Sequence, residues 1–320
     1  MIFGTIPGLD KPVSRICQGT VMLTPKKKSW SFEILDAVFE AGINTFDSAH
    51  IYGGGDCDRV FGEWVHRRSL RSEVVLLDKG SHSHGDLDRV TPRDLTADLE
   101  DCLERLGFET IDLYALHRDD PTQPVGPIID ELNAHVASGK IAAFGASNWS
   151  HDRIREANNY AGDHGLQGFA LSSPNYGLAE QIDDPWGNST TITGSGEALA
   201  YYAESRVPLF PWSSLAGGLF SGRFTRDNLD SFENDSDQRC VRCYCSPANF
   251  DRLDRAQIVA NERGVSVAQV ALAWILTDPL DCFPLTAAWA PEEATQNAAS
   301  VEIELSNAER AWLSLDSDER

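Results

Sequence analysis
Long apolar runs are missing from this chain. No stretch approaches the roughly 20 residues needed to span a bilayer, and the N-terminus lacks the basic-then-apolar pattern of a secretory leader. Basic charge is scarce as well: 27 Lys and Arg stand against 49 Asp and Glu, a formal net charge of −22. That balance argues against nucleic acid or an anionic membrane as a partner. The acidity is spread along the chain, so it reads as a solubilising surface, and an acid-rich host proteome would explain it equally well. The expected location is the cytoplasm. Seven cysteines, an odd number without a leader, read as reduced thiols. A G-x-G-x-x-G dinucleotide fingerprint is absent, since Gly194-Ser195-Gly196 lacks both the last glycine and the strand context. No linker rich in Pro, Gly or Ser separates two cores, so the 320 residues are expected to form one domain, 1–320.

What is present is an alternation of short apolar strands with amphipathic helices. Strand-like runs fall at 14–17, 43–46, 74–79, 111–116, 141–146, 168–171, 207–212 and 282–285. The seventh carries Pro208 and Pro211, so its pairing should be irregular. Between the runs lie helical segments such as the one opened by Thr91-Pro92-Arg93-Asp94, a capping hydroxyl followed by proline at the first helical position. Leu95, Leu99, Leu103 and Leu106 then keep helical spacing up to Gly107. Eight strands, each followed by a helical stretch, predict an α/β fold: a closed (β/α)₈ TIM barrel, with residues 178–194 and 215–246 as long loops over its C-terminal face.

In such a barrel the carboxyl ends of the strands share one face, where the active site sits. Asp47, Lys79 and His117 end the second, third and fourth predicted strands, and Tyr52 rides the glycine loop just above Asp47. Lys79 beside Tyr52 favours the phenolate and should lower the phenol's pKa, while Asp47 holds Lys79 charged. A ring N–H of His117 can orient a substrate carbonyl and stabilise its developing oxyanion. Asp78 need not neutralise Lys79, because adjacent strand residues point to opposite faces. Each residue also has a structural reading: Asp47 as a cap, Lys79 as a snorkelling rim lysine, Tyr52 as a packed aromatic, His117 as a core histidine. Four compatible groups at three successive strand ends favour chemistry. The cluster Cys240, Cys243, Cys245 has a one-residue second gap, unlike common structural zinc sites. It reads as a loop that carries cysteines, His82 and His84 read as a solvated loop, and no metal is expected.

These motifs resemble the aldo-keto reductase family over nearly the whole chain. Asp47-x-Ala49-x-x-Tyr52-Gly53, Lys79 and Leu116-His117 match that family's catalytic tetrad in order and spacing. The resemblance implies Tyr52 as general acid, supported by Lys79, Asp47 and His117, and a nicotinamide cofactor bound at the barrel mouth. It also implies cofactor contacts. Gly19 and Thr20 end the first strand. Gly145-Ala146-Ser147-Asn148 resembles the family's G-x-S-N, whose Ser and Asn hydrogen-bond the carboxamide. Ser173 stands where the family has glutamine, and Trp212 where a tyrosine stacks on nicotinamide. The segment from Ser213 through Leu215 and Gly217 resembles the pyrophosphate-covering loop, followed by Arg223. Glu293 and Asn297 fall in the adenosine-binding segment.

The function so implied is NAD(P)H-dependent interconversion of a carbonyl and an alcohol, and the mix of aromatic and hydrogen-bonding groups over the mouth suits a sugar-like carbonyl. Arg118, Asp119, Trp149 and His50 are expected around the substrate. The alternatives are a nicotinamide-holding regulatory or redox-sensor subunit, and a barrel hydrolase or isomerase using Asp47 and His117. No Lys or Arg occurs from Phe283 to Glu309, where a 2′-phosphate would be met. NAD(H) is therefore expected to be preferred and NADP(H) possible, unless Arg223 or Arg226 reaches the phosphate from the loop after the seventh strand.

Overall fold
The computed structural model describes residues 1–85 and 87–320. Two short strands, β1 (Phe3–Gly4) and β2 (Val13–Ser14), form an antiparallel pair near the N-terminus. Seven parallel strands follow: β3 (Cys17–Gly19), β4 (Thr45–Asp47), β5 (Val75–Gly80), β6 (Ile111–Leu116), β7 (Ile141–Ser147), β8 (Leu171–Ser173) and β9 (Leu285–Thr286). Their spatial order is β8-β7-β6-β5-β4-β3-β9.

The expected first strand is thus two elements, since Ser14 pairs with Phe3 while Cys17 pairs with Thr45 and Leu285. The continuous ladder does not close into a full barrel. Between its edges, β8 and β9, runs segment 207–212, which among the described residues pairs through single bridges only: Leu209 to Ser172 and Trp212 to Asn175 on one side, and Leu209 to Cys282 on the other. The reason is in the sequence, because Pro208 and Pro211 have no N–H to give to a ladder. The amides that remain are used: Leu209 N donates to Asp281 O at 2.8 Å, and Phe210 N to Ser172 O at 2.8 Å.

The curl separates two cores. Val75, Leu77, Leu113, Ala115, Ala143 and Leu171 alternate onto the inner face, with Phe210 and Phe283 stacked at 4.9 Å. Ile6 and Val13 of the N-terminal hairpin pack into the same inner cluster. Phe46, Leu76, Tyr114, Leu116 and Phe144 face outward to the helices. This two-residue period is that of a strand buried on both sides. The helices follow their sequence signals. Helix Pro92–Leu106 begins on Thr91, whose Oγ1 accepts from Asp94 N at 3.2 Å, and ends on Gly107 at φ 67°. It buries Leu95, Leu99, Leu103 and Leu106 as expected. In helix Lys28–Glu40 the buried stripe is Ile34, Leu35 and Val38, with Phe32 and Phe39 only half-buried.

Region 178–194 is irregular, but 215–246 is more ordered than a loop. It holds a tight turn of helix, Ala216–Ser221, and the helix Asp235–Tyr244, capped by Asn234. The cysteine cluster therefore sits on a helix and its end, with Cys240 and Cys243 buried. Among the described residues, no helix is long and apolar enough to cross a membrane.

Candidate active site
Strand parity and one glycine turn bring the four predicted groups together. Asp47 pairs in register with Leu77, an inner-face residue, and Lys79 lies two positions further on the same face of β5. His117 follows β6 with the parity of Ala115, and its N–H donates to Gly80 O at 2.7 Å. Lys79 Nζ donates to Asp47 Oδ1 and, at 3.0 Å, to Ser48 O. Tyr52 is carried into the same space by a tight turn in which Gly53, Gly54 and Gly55 adopt φ of 58°, 65° and 91°, a run that side-chain-bearing residues resist. The Tyr52 ring stands 5.3 Å from Lys79 Nζ and 5.9 Å, edge-on, from the His117 ring. Asp47, Lys79 and His117 are buried, whereas Tyr52 is half-buried.

Electrostatics correct one expectation. Burial pushes the Tyr52 phenol up, Lys79 pulls it down and Asp47 pushes it up, leaving it above its ordinary value. Lys79 thus acts in the expected direction, but in this state desolvation outweighs it. Burial alone would push the Lys79 ammonium down, yet Asp47, Tyr52 and Asp78 hold it above its usual value. Asp47 is raised by burial and only partly drawn back by Lys79. His117 is driven well below the usual imidazole range by burial and by its neighbours Lys79, Arg118 and His82. It is therefore neutral, and its Nδ1 is buried without a partner among the described residues.

Two neighbours matter more than their sequence context suggested. Arg118 is buried beside the site, with Nη1 donating to His117 O at 2.9 Å. His82, from the expected solvated loop, sets its ring edge-on to His117 at 4.8 Å. Of the other groups expected around the substrate, Trp149 is fully packed and donates to Arg118 O, Asp119 pairs with Arg153, and His50 contacts Asp101. Trp149 is thus a core residue that holds Arg118 in place.

On the opposite arc the expected cofactor residues are gathered, but many of their polar atoms are already engaged. Ser147 Oγ donates to Ser173 O at 2.8 Å, and Ser173 Oγ donates to Phe210 O at 2.7 Å. Asn148, at φ 61°, donates to His117 O and Ser147 Oγ. Its Oδ1 accepts from Thr190 N and from the Trp212 indole, each at 3.1 Å. Trp212 meets Trp186 of the 178–194 region at 5.0 Å, a partner that no periodicity in the sequence signals. Thr20 donates its N–H to Asp47 O, and its hydroxyl is buried without a partner among the described residues. Beside Gly19, an added Cβ would come to 3.2 Å from Thr286 O. Ser213, Ala216, Gly217 and Gly218 all have positive φ, and Leu215 lies between them.

Arg223 ion-pairs with Asp237, and Arg226 with Asp251 and Asp254. Neither is a free guanidinium awaiting a phosphate. Glu293 accepts from Trp289 N at 2.7 Å at the start of helix Pro291–Ala299, while Asn297 is buried on that helix. Unpaired Thr20 and His117 atoms, a small-residue turn of left-handed backbone and an indole face are compatible with a bound nicotinamide dinucleotide.

The Aldo/keto reductase family model matches residues 15–313. The chain is 26% identical over 306 residues to an uncharacterized oxidoreductase, YrpG, of Bacillus subtilis, covering 92% of this chain and 89% of that one. It is also 26% identical to a probable voltage-gated potassium channel subunit beta of Oryza sativa, over 84% and 81% of the two chains. Among solved structures, an aldo-keto reductase from Klebsiella pneumoniae in complex with NADPH aligns with a TM-score of 0.74 at 25% identity, over 100% of this chain and 97% of that one. The chain belongs to the aldo-keto reductase family.

Proposed function
We propose that this protein is a nicotinamide-dependent oxidoreductase that interconverts a carbonyl and an alcohol, with Tyr52 as general acid and base. The observation that carries the reading is the convergence of Tyr52, Lys79, Asp47 and neutral His117 on one mouth. We also read the curled sheet as a (β/α)₈ barrel in which segment 207–212 holds the seventh place. The bound dinucleotide would supply the hydride that reaches the carbonyl carbon. His117, neutral and with an unpaired ring nitrogen, donates a hydrogen bond to the carbonyl oxygen and orients it. Tyr52 Oη passes its proton to that oxygen as negative charge develops there. Lys79 then stabilises the phenolate left behind, and Asp47 keeps the ammonium charged and fixed. The raised phenol suits this order, since the proton stays on Tyr52 until the oxygen becomes basic.

For the cofactor, NADP(H) is the better supported form, because the Klebsiella relative is a complex with NADPH. This displaces the NAD(H) preference expected from the missing basic residues at 283–309. Glu293 is occupied by the Trp289 amide. A basic side chain from another part of the chain connects to that segment through two aromatic rings: Lys27 Nζ lies 6.0 Å from the Trp30 ring, and the Trp30 ring lies 5.9 Å from that of Trp289. We propose Lys27 as a candidate charge for a 2′-phosphate.

A second reading, a nicotinamide-holding regulatory subunit, is supported by the likeness to the rice channel subunit. Fluorescence titration with NADPH and NADH, followed by a carbonyl and alcohol screen, tests both. Saturable binding with turnover supports the enzyme, binding with negligible turnover supports the regulatory subunit, and no binding of either nucleotide sinks both.

A further inference from the structure
Behind the catalytic strand ends, on the helix side of the sheet, lies a buried acidic pair that the proposed reaction does not use. Asp58 projects from helix Asp56–Arg68 and Asp78 from β5, and both are fully buried. A side-chain oxygen of each, together with Cys102 Sγ of helix Pro92–Leu106, lies within 4.8 Å of the others. Asp58 Oδ1 accepts from Ser48 Oγ at 2.5 Å, and Asp78 Oδ1 accepts from Lys79 N at 2.8 Å. The second oxygen of each carboxyl has no partner among the described residues.

The surrounding charges do not neutralise the pair. Lys79 turns its ammonium to Asp47 on the opposite face. Arg105 spends its guanidinium on His50 O and Asp101, and the His50 ring also goes to Asp101. Asp98, from the same helix, adds negative charge while held by Ser81 N and Arg89. Tyr114 adds a further unpaired polar group to the same place. It is the register partner of Asp78, so it shares that face, and its hydroxyl is buried without a partner among the described residues. That hydroxyl reaches over Gly80, where an added Cβ would lie 1.9 Å away.

Two bare carboxylates in this setting would carry a prohibitive desolvation cost. One proton on the pair leaves one carboxyl and one carboxylate, a donor and an acceptor, in a space where an oxygen of each lies within 4.8 Å of the other. We propose that Asp58 and Asp78 hold a single proton between them and, in that form, are positioning residues for the catalytic lysine. The pair grips Lys79 twice, through its own N–H at Asp78 and through Ser48. The Ser48 hydroxyl goes to Asp58, while its carbonyl accepts from Lys79 Nζ. This rests on the catalytic reading above. Burial first, and then the charge of Asp78, push the Asp58 carboxyl up to about 8, while burial pushes Asp78 up to about 6. Both lie above the ordinary carboxylate range near 4, so the protons that folding takes up are lost as pH rises. Stability on this account is fullest below about pH 4 and declines as pH climbs through about 8.

The test compares wild type with Asp58→Asn, and with Asp78→Asn as a second variant. Infrared difference spectra of the wild type should contain a protonated-carboxyl C=O band at neutral pH that disappears at alkaline pH and in Asp58→Asn. Wild-type Tm should fall between pH 6 and 9, whereas Asp58→Asn should be flatter and melt higher than wild type at pH 9. Turnover should drop about tenfold per pH unit above the second deprotonation, a limb that Asp58→Asn removes. A wild type without the band, or an Asp58→Asn variant that melts lower at pH 9, overturns the proposal. So does a Tm raised by added Zn²⁺ or Mn²⁺, which would put a cation where the proton is placed. The band and the wild-type melts decide the matter even where a variant fails to fold. They need neither cofactor nor substrate, so their failure is separate from failure of the carbonyl-reductase reading.

Discussion

The two arcs of the strand-end face are built differently. Along β4, β5 and β6 the ladder is continuous, strand parity places Asp47, Lys79 and His117 on one face, and Lys79 is already paired with Asp47. Across β7, β8 and segment 207–212, pairing shrinks to three residues and then to single bridges. There the polar side chains bond to one another and to backbone carbonyls instead of pointing free into the mouth. The first arc is preorganised for charge, which must not wander. The second is a self-satisfied network that positions backbone and ring faces and leaves few side-chain donors to spare.

The sharpest way to break this comparison is to cut the first arc at its ion pair. Lys79→Met leaves Asp47 buried without its cation and should destabilise the fold by about 3–5 kcal/mol. Without the ammonium, the already raised Asp47 carboxyl rises further. The loss should therefore grow with pH above the ordinary carboxylate range. Urea unfolding at pH 5 and pH 8 measures it, and adding Asp47→Asn should recover much of the loss. If the single variant unfolds like wild type at both pH values, the pair is not the brace described.

Tyr52→Phe should leave the fold intact and slow carbonyl turnover by roughly 10²-fold. Nucleotide affinity should change little. Near-normal turnover would remove Tyr52 from its role.

The second arc is probed by Asn148→Gly, which keeps the left-handed backbone and deletes the side chain's bonds to His117, Ser147, Thr190 and Trp212. Stability should fall by about 1–3 kcal/mol, and the nucleotide Kd should rise about tenfold. Asn148→Ala should cost about 1 kcal/mol more, because a Cβ resists that φ. Equal stabilities for the two variants would mean the backbone there is not held.

Smallest of all should be Cys245→Ser, within about 0.5 kcal/mol in a thermal melt. Elemental analysis should find no zinc per chain in chelator-free protein. One zinc per chain would mean that the cluster, now seen to lie on a helix and its end, is structural after all.

Legibility from sequence divides along the same line as the two arcs. Ile111–Leu116 and helix Pro92–Leu106 were readable to the residue because their periodicity, caps and terminal Gly107 agree. Asp47, Lys79 and His117 stand out in the sequence because a polar, titratable residue closes an apolar strand. The N-terminal hairpin was missed, since two-residue strands have no period to detect. Helix Asp235–Tyr244 is not legible as a helix because its charged residues and cysteines mask the stripe of Cys240, Cys243 and Tyr244 that it buries.

The contact between Trp186 and Trp212 has an optical consequence. Two indoles with ring centroids 5.0 Å apart and planes inclined at 59° are close enough for their ultraviolet transitions to mix, and a chiral pair of that kind contributes a split circular-dichroism couplet. One chromophore belongs to the proposed nicotinamide shelf and the other to the irregular segment above it. The molecule therefore carries a built-in spectroscopic ruler across its own mouth, sensitive to orientation as well as distance. It would register the seating of a nucleotide as a change of sign or splitting before any substrate is turned over.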